Sequence, residues 1–467
     1  MDSMTHESLP VKTDGSDPFN DQYMAAFSAA HDAQQAAPPK PKDRLLRNNK
    51  QELINCLHNA VQLLTTDKEW RGVLGFNELS NAVVFLQDPP VNGGHFPSYK
   101  LHRPLGDHVW IGVSAWLQEH HGLRVTDSVI YNACELAARA QTFHPVTRAL
   151  NALRWDGQNR IDTWLINLFG VEDTALNRAM QRKWLIAAVA RVMDPGCKAD
   201  NMLILEGPKG FGKSEAFRAL GQLGGNHFSD SALDLGSKDR FESIQGIWIY
   251  EFSELDGFDR HDVNRIKGFL TSRTDRYRRP FAHGPAELPR QVIFCGSTNR
   301  TEYIREDAER RFWPMTVRRR LTDADRAAFV AVIPQIWAEA VEAYRSGEKW
   351  YLSHEQEVEL SRAQQSRVVS DVVETAVINY ITATKQAGDP ISTEEVMEHM
   401  NISPTGKEGK SMSMRIGDVL RKYSDGSPKK RISVGGGKRV PCYRLDSRIF
   451  DEVAAETPAP AATGEDF

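Results

Sequence analysis

Long apolar runs are missing from this chain of 467 residues. A bilayer-spanning helix needs about 20 consecutive apolar residues, and no stretch approaches that; the opening MDSMTHESLPVKTDG is polar and holds no apolar signal core. The sequence therefore predicts a protein that works in the cytoplasm without membrane contact. Cysteine is scarce as well. Cys56, Cys134, Cys197, Cys295 and Cys442 lie far apart with no C-x-x-C pair, which argues against a disulfide framework or a zinc site and leaves reduced core thiols. Neither sign of charge dominates: 58 Lys and Arg stand against 62 Asp and Glu, a net charge of −4, so the total gives no hint of a polyanion. Distribution says more than the sum. Arginine gathers in TSRTDRYRRPF (271–281) and between Arg300 and Arg320, acid in the closing EVAAETPAPAATGEDF.

What is present is an ordinary globular composition, 40% hydrophobic and 26% charged, with length for two to four domains. Residues 1–44 mix Ser, Asp, Gln, Ala and Pro without periodicity and read as a disordered leader. Residues 45–190, with ELINCLHNAVQLL, VSAWLQEHHG and SVIYNACELAARAQ, read as a helical N-terminal domain. Strand and helix patterns then alternate over 191–345, as a parallel α/β sheet requires. A helical connector fills 346–365; three helical patterns and the basic ribbon KKRISVGGGKRVPCYRLD over 366–450 predict a winged-helix-like domain, and 451–467 an acidic disordered tail.

The most constraining segment is LILEGPKGFGKS, residues 203–214. An apolar strand breaks into G-x-x-x-x-G-K-S formed by Gly207, Pro208, Lys209, Gly210, Phe211, Gly212, Lys213 and Ser214. The glycines let backbone N–H groups approach phosphate oxygens, Lys213 reaches the β- and γ-phosphates, and Ser214 holds Mg²⁺ at a helix N-terminus. The sequence thus predicts a nucleoside triphosphate site, with ATP and Mg²⁺ as its ligands. A mere Gly-rich turn is the bland alternative, and the full-length motif in its strand–loop–helix context disfavours it.

Further chemistry follows the loop. IWIYEFSEL ends a strand in Glu251 with Glu254 a helical turn on; one carboxylate there would hold the metal or its water and the other would orient the attacking water, and the sequence leaves open which does which. VIFCGSTN ends in Asn299, an amide placed to sense the γ-phosphate. Arg310 and Arg311, ahead of Phe312-Trp313-Pro314, are candidates to stabilise transition-state charge in cis or from a neighbouring subunit.

The order of these motifs resembles the virulence-associated protein E family of phage and prophage ATPases, related to the superfamily 3 DNA helicases. The likeness spans roughly 45–345 and includes FHPVTRALNALRWDGQNRIDTWL, residues 143–165. It implies an AAA+-like α/β P-loop core, a replicative DNA helicase and an oligomeric, hexameric ring moving on single-stranded DNA. It also implies that Asp275 to His283 form a channel hairpin in which Arg276, Arg278, Arg279 and His283 touch the strand, while Tyr277 or Phe281 stacks on a base. Phe252 stands where the family's tandem acid would be, so the base stays undecided. In the C-terminal domain, Arg415, Arg421 and Lys422 would enter a groove of duplex origin DNA, with Lys429, Lys430, Arg431, Lys438 and Arg439 on the phosphates. Trp155, Asp156 and Arg160 would cap the junction between front domain and ATPase. The rival readings are an ATP-switched DNA-binding loader or regulator that does not unwind, and a phosphotransferase on the same loop; no acidic cluster marks a primase.

Overall fold

The structure, a computed structural model, describes residues 45–90, 100–253, 260–277, 284, 286–299, 310–365, 372–424, 430–434 and 438–450. The leader and tail lie outside these residues. The chain divides into two compact units, 1–368 and 369–467. Among the described residues no helix is long and apolar enough to cross a membrane.

The front of the first unit is not purely helical. β1 (Leu74–Asn77) pairs antiparallel with β2 (Ala82–Phe85) and parallel with β3 (Thr142–Phe143). Helices Leu57–Thr66, Asp107–His121 and Asp127–Arg139 pack with this sheet around Trp70, Phe85 and Trp116. The expected helical domain of residues 45–190 is corrected on two counts. Its strands are runs of four, four and two residues, too short to show a period. Its last helices, Pro145–Ala152, Trp164–Phe169 and Ala175–Met193, bury their apolar faces in the core of the large sheet instead.

That sheet contains β4 (Met202–Glu206), β5 (Phe228–Ser229), β6 (Ile249–Phe252), β9 (Ile293–Thr298) and β10 (Phe312–Thr316). They lie in the order β10-β4-β9-β6-β5, every pair parallel. β4, β6 and β9 are buried throughout, which is why they read as continuous apolar runs rather than alternation. β10 was not expected as a strand because Pro314 interrupts it. It is tolerated since β10 pairs only with β4 and lies at the sheet edge. The helix Ala175–Met193 is clamped to the sheet by indole N–H groups: Trp184 donates to Phe294 O at 2.9 Å and Trp248 to Ala188 O at 2.8 Å. The helix Asp323–Arg345 starts in a capping box between Thr322 and Asp325.

A separate hairpin of β7 (Thr274–Tyr277) and β8 (Ala286–Pro289) sits between β6 and β9 in the chain. Its base is pinned by a fully buried ion pair, Arg290 Nη2 to Asp275 Oδ1 at 2.5 Å, with the Arg290 guanidinium 4.3 Å above the Phe269 ring. Asp275 is thus an anchor of the hairpin.

In the second unit, helices Val372–Thr384, Thr393–His399 and Gly406–Lys422 surround an apolar core with a sheet ordered β11-β13-β12. β11 is Pro390–Ile391, β12 is Lys430–Val434 and β13 is Lys438–Arg444. The last two form an antiparallel ribbon in which Arg431 faces Pro441 and Ser433 faces Arg439.

Candidate functional site

The strand order reverses at β4: the chain passes from it toward β5 on one side and finally to β10 on the other. In such sheets the crevice at the strand C-terminal ends is where a ligand fits. Residues 207–212 run from that end of β4 into the helix Lys213–Leu220. Gly212 takes φ +89° at the helix start, and a Cβ there would meet Leu321 at 2.8 Å. Only glycine suits both the conformation and the space.

Three strand ends converge on this loop. The Lys213 ammonium is buried and donates to Gly207 O at 2.5 Å, Pro208 O at 2.9 Å and Asn299 Oδ1 at 3.1 Å. Ser214 Oγ donates to Glu251 Oε1 at 2.7 Å. β9 brings Asn299 and β6 brings Glu251, the register between them pairing Glu251 with Cys295. Glu251 is 1% exposed, and burial raises its pKa above the usual glutamate value, against hydrogen bonding from Ser297 and Ser214. Its Oε2 is buried without a satisfactory hydrogen-bond partner. A carboxylate held dry beside a hydroxyl, with one oxygen unsatisfied, fits a cation-ligand role. Glu254 lies outside the described residues.

Arg310 and Arg311 are elsewhere. The sequence reading put them on the site side of the sheet, but Met202 N–H donates to Arg311 O at 2.6 Å, so the pair precedes β10 at the sheet's N-terminal edge. Five residues of strand separate that edge from the P-loop, roughly 16 Å. Reach to the chain's own γ-phosphate is excluded in this arrangement. Arg310 Nη1 lies 3.7 Å from Glu357 and is half exposed; Arg311 Nε lies 3.8 Å from Asp200.

Of the proposed strand-contacting residues, Arg276 lies exposed on β7 opposite Glu287, while Arg278, Arg279 and His283 lie outside the described residues. Lys430, Arg431, Lys438 and Arg439 fall on the β12–β13 ribbon. Lys422 is committed to Glu374 at 2.8 Å and Arg421 to Asp418 at 2.9 Å.

One position was missed. Arg160 binds Asp156 at 2.7 Å, and the Arg160 and Ile161 N–H groups donate to buried Glu339, so the WDG segment docks on the helix Asp323–Arg345. His144 caps the helix Pro145–Ala152: its Nδ1 accepts from Thr147 N–H at 3.0 Å, its Nε2 meets Gln291 Oε1 at 2.6 Å, and Gln291 donates to Glu78 O. Burial lowers its pKa, consistent with a neutral ring accepting that N–H. A His-Pro pair ahead of a helical pattern was the available signal.

Among solved structures, the C-terminal region of NrS-1 aligns at 14% identity over 65% of this chain and 80% of that one, with a TM-score of 0.42. The Thermotoga maritima RuvB Holliday junction branch migration motor aligns at 9% identity over 60% of this chain and 95% of its own, with a TM-score of 0.21. No curated protein matches the chain. Residues 150–369, holding the sheet and the P-loop, match the model of the virulence-associated protein E-like domain.

Proposed function

We propose that the chain is a Mg²⁺-dependent ATPase that acts on DNA in phage or prophage replication, moving on single strands as an oligomeric helicase. The observation that carries the nucleotide part is the convergence of Lys213, Asn299, Ser214 and Glu251 from three parallel strand ends. Lys213 now bonds loop carbonyls that a phosphate's oxygens would replace as partners, and Asn299 stands where the γ-phosphate would end. Ser214 and Glu251 would hold Mg²⁺, which supplies charge neutralisation across the β- and γ-phosphates. This makes Glu251 the metal-side acid and leaves the orientation of the lytic water to Glu254.

The DNA part rests on the basic hairpin and ribbon. Arg276 lies exposed on β7, next in chain to Asp275, whose buried pair with Arg290 fixes the strand to the start of β9. The second unit, with three helices and the Lys- and Arg-bearing ribbon, supports a winged-helix reading for duplex contact. The distance of Arg310 and Arg311 from their own P-loop supports a contribution to a neighbour's site, hence a ring.

The test is ATP turnover with and without single-stranded DNA, together with mass in solution and strand separation. Stimulated turnover by an oligomer that unwinds is expected. Turnover unaffected by DNA, without unwinding, would assign the chain to the loader class.

A further inference from the structure

In the second unit the chain order is helix, β11, two helices and the β12–β13 ribbon. The two successive helices, Thr393–His399 and Gly406–Lys422, are joined by a short turn in which Asn401 takes φ +54°. A helix-turn-helix followed by a wing has this order. Charge within the unit is polarised. Residues 372–405 hold one Lys against five Asp and Glu, while residues 406–448 hold twelve Lys and Arg against four acids. A chain of net charge −4 thus gathers cations on the second helix of the pair and on the ribbon, the elements a duplex would meet.

The helix Gly406–Lys422 has two faces. Ile416, Val419 and Leu420 are buried in the unit's core, and a Cβ at Gly417 would stand 3.3 Å from the Tyr443 hydroxyl, so that side is packed. Lys410, Ser411, Met414, Arg415 and Asp418 are exposed, at the spacing of one helix face. Asp418 is bridged to Arg421 at 2.9 Å, which offsets its charge. Met414 is 67% exposed, and no described large apolar side chain is more so. Its neighbours on this face are polar or charged, so it stands alone and forms no apolar patch of the kind a protein partner covers.

We propose that this helix reads sequence, with Met414 seated on the 5-methyl group of a thymine in the major groove of a duplex. The inference rests on the duplex reading above and specifies what the unit prefers. Phosphates take charge and the acceptors of guanine take Lys or Arg; a thioether serves neither. Among the four standard bases, the thymine methyl is the apolar group presented in that groove. Lys410, one helical turn before Met414, and Arg415 beside it supply the cations that hold the helix there.

The experiment uses the full chain without nucleotide. The parent selects from short duplexes of random sequence, and the selected duplex is then compared with copies carrying deoxyuridine for thymidine at one position at a time, which removes only the methyl. At one position or more, parent affinity should fall at least about fivefold, the low end of the cost of a mismatched pair. Met414→Ala should bind the thymidine and deoxyuridine duplexes alike and keep the parent's slope of log affinity against log salt, since no phosphate contact is lost. Should Met414→Ala lose duplex binding altogether, Met414→Leu, which keeps an apolar tip, decides: a preference for thymidine supports the proposal and its absence overturns it. No selected sequence, no sensitive position, or a penalty that survives Met414→Ala also overturns it. A parent chain that binds no duplex refutes the duplex reading itself, a separate outcome.

Discussion

Replacing Glu251 by Gln keeps the shape of the side chain and the Ser214 bond and removes one charge from a site that is 1% exposed. The loss in ATP turnover separates two roles. If Glu251 only orients the ligands of the metal, the cost should be roughly 10- to 100-fold; if it also takes the proton of the lytic water, roughly 10²- to 10⁴-fold. Stability should move the other way. Burial raises the carboxyl's folded-state pKa above the ordinary 4.5, so the stability this group contributes is fully present below pH 4.5, where both states hold the proton, and is lost as pH rises through the raised folded value. Gln cannot ionise and escapes that loss. In thermal unfolding without nucleotide, Glu251→Gln should therefore melt above the parent at pH 8, and the gap should close as the pH falls toward 4.5. Added Mg²⁺ should narrow the gap at pH 8, because a cation favours the charged carboxylate. Turnover within threefold of the parent, joined to a melting difference that ignores pH, would refute the assignment of Glu251 to the metal.

Lys213→Ala removes the ammonium that bonds Gly207 O, Pro208 O and Asn299 Oδ1; ATP hydrolysis and unwinding should collapse together while circular dichroism stays parent-like, and retained unwinding would sink the P-loop mechanism. Asp275→Asn leaves the Arg290 charge buried and unpaired, so denaturant titration should show a loss of about 3–5 kcal/mol, whereas Asp173→Asn, which breaks a half-exposed pair with Arg178, should leave the midpoint at the parent's value. A double Arg310→Ala, Arg311→Ala chain should be inactive alone but regain turnover when mixed with Lys213→Ala subunits, since each would then supply what the other lacks; no rescue in a mixed oligomer would assign the pair to structure.

The buried parallel strands and the glycine-bearing loop after β4 were legible because these elements announce themselves locally. A buried parallel strand must be apolar along its whole length, and MLILE, IYEF and IFCGST are. A loop that wraps phosphate needs glycine where φ is positive, as at Gly210 and Gly212. What escaped was non-local. The front sheet depends on Thr142–Phe143 pairing with Phe76–Asn77, a contact between short runs far apart in sequence. Asp275 was grouped with the basic hairpin because its partner Arg290 is fifteen positions away. β12 and β13 were legible as a ribbon, but the bracing of Lys422 on Glu374 spans 48 positions.

The misplacement of Arg310 and Arg311 has the largest consequence, and its cause is Pro314. A proline inside an apolar run argues against a strand, so FWPMT read as an anchor following the site, with the arginines beside it. As an edge strand parallel to β4, that same run carries the arginines to the opposite end of the sheet. Arg310, half exposed and 3.7 Å from Glu357, forms a loose pair of the kind worth under about 1 kcal/mol. Such pairs can be given up cheaply to a more highly charged partner. A triphosphate bound to a second copy of the chain offers that charge, and no triphosphate bound to the same copy can, because the sheet stands between. Charge stabilisation from these arginines would therefore require a second copy, and the expected outcome is turnover per chain that rises steeply with chain concentration; turnover per chain independent of concentration would assign the pair to structure.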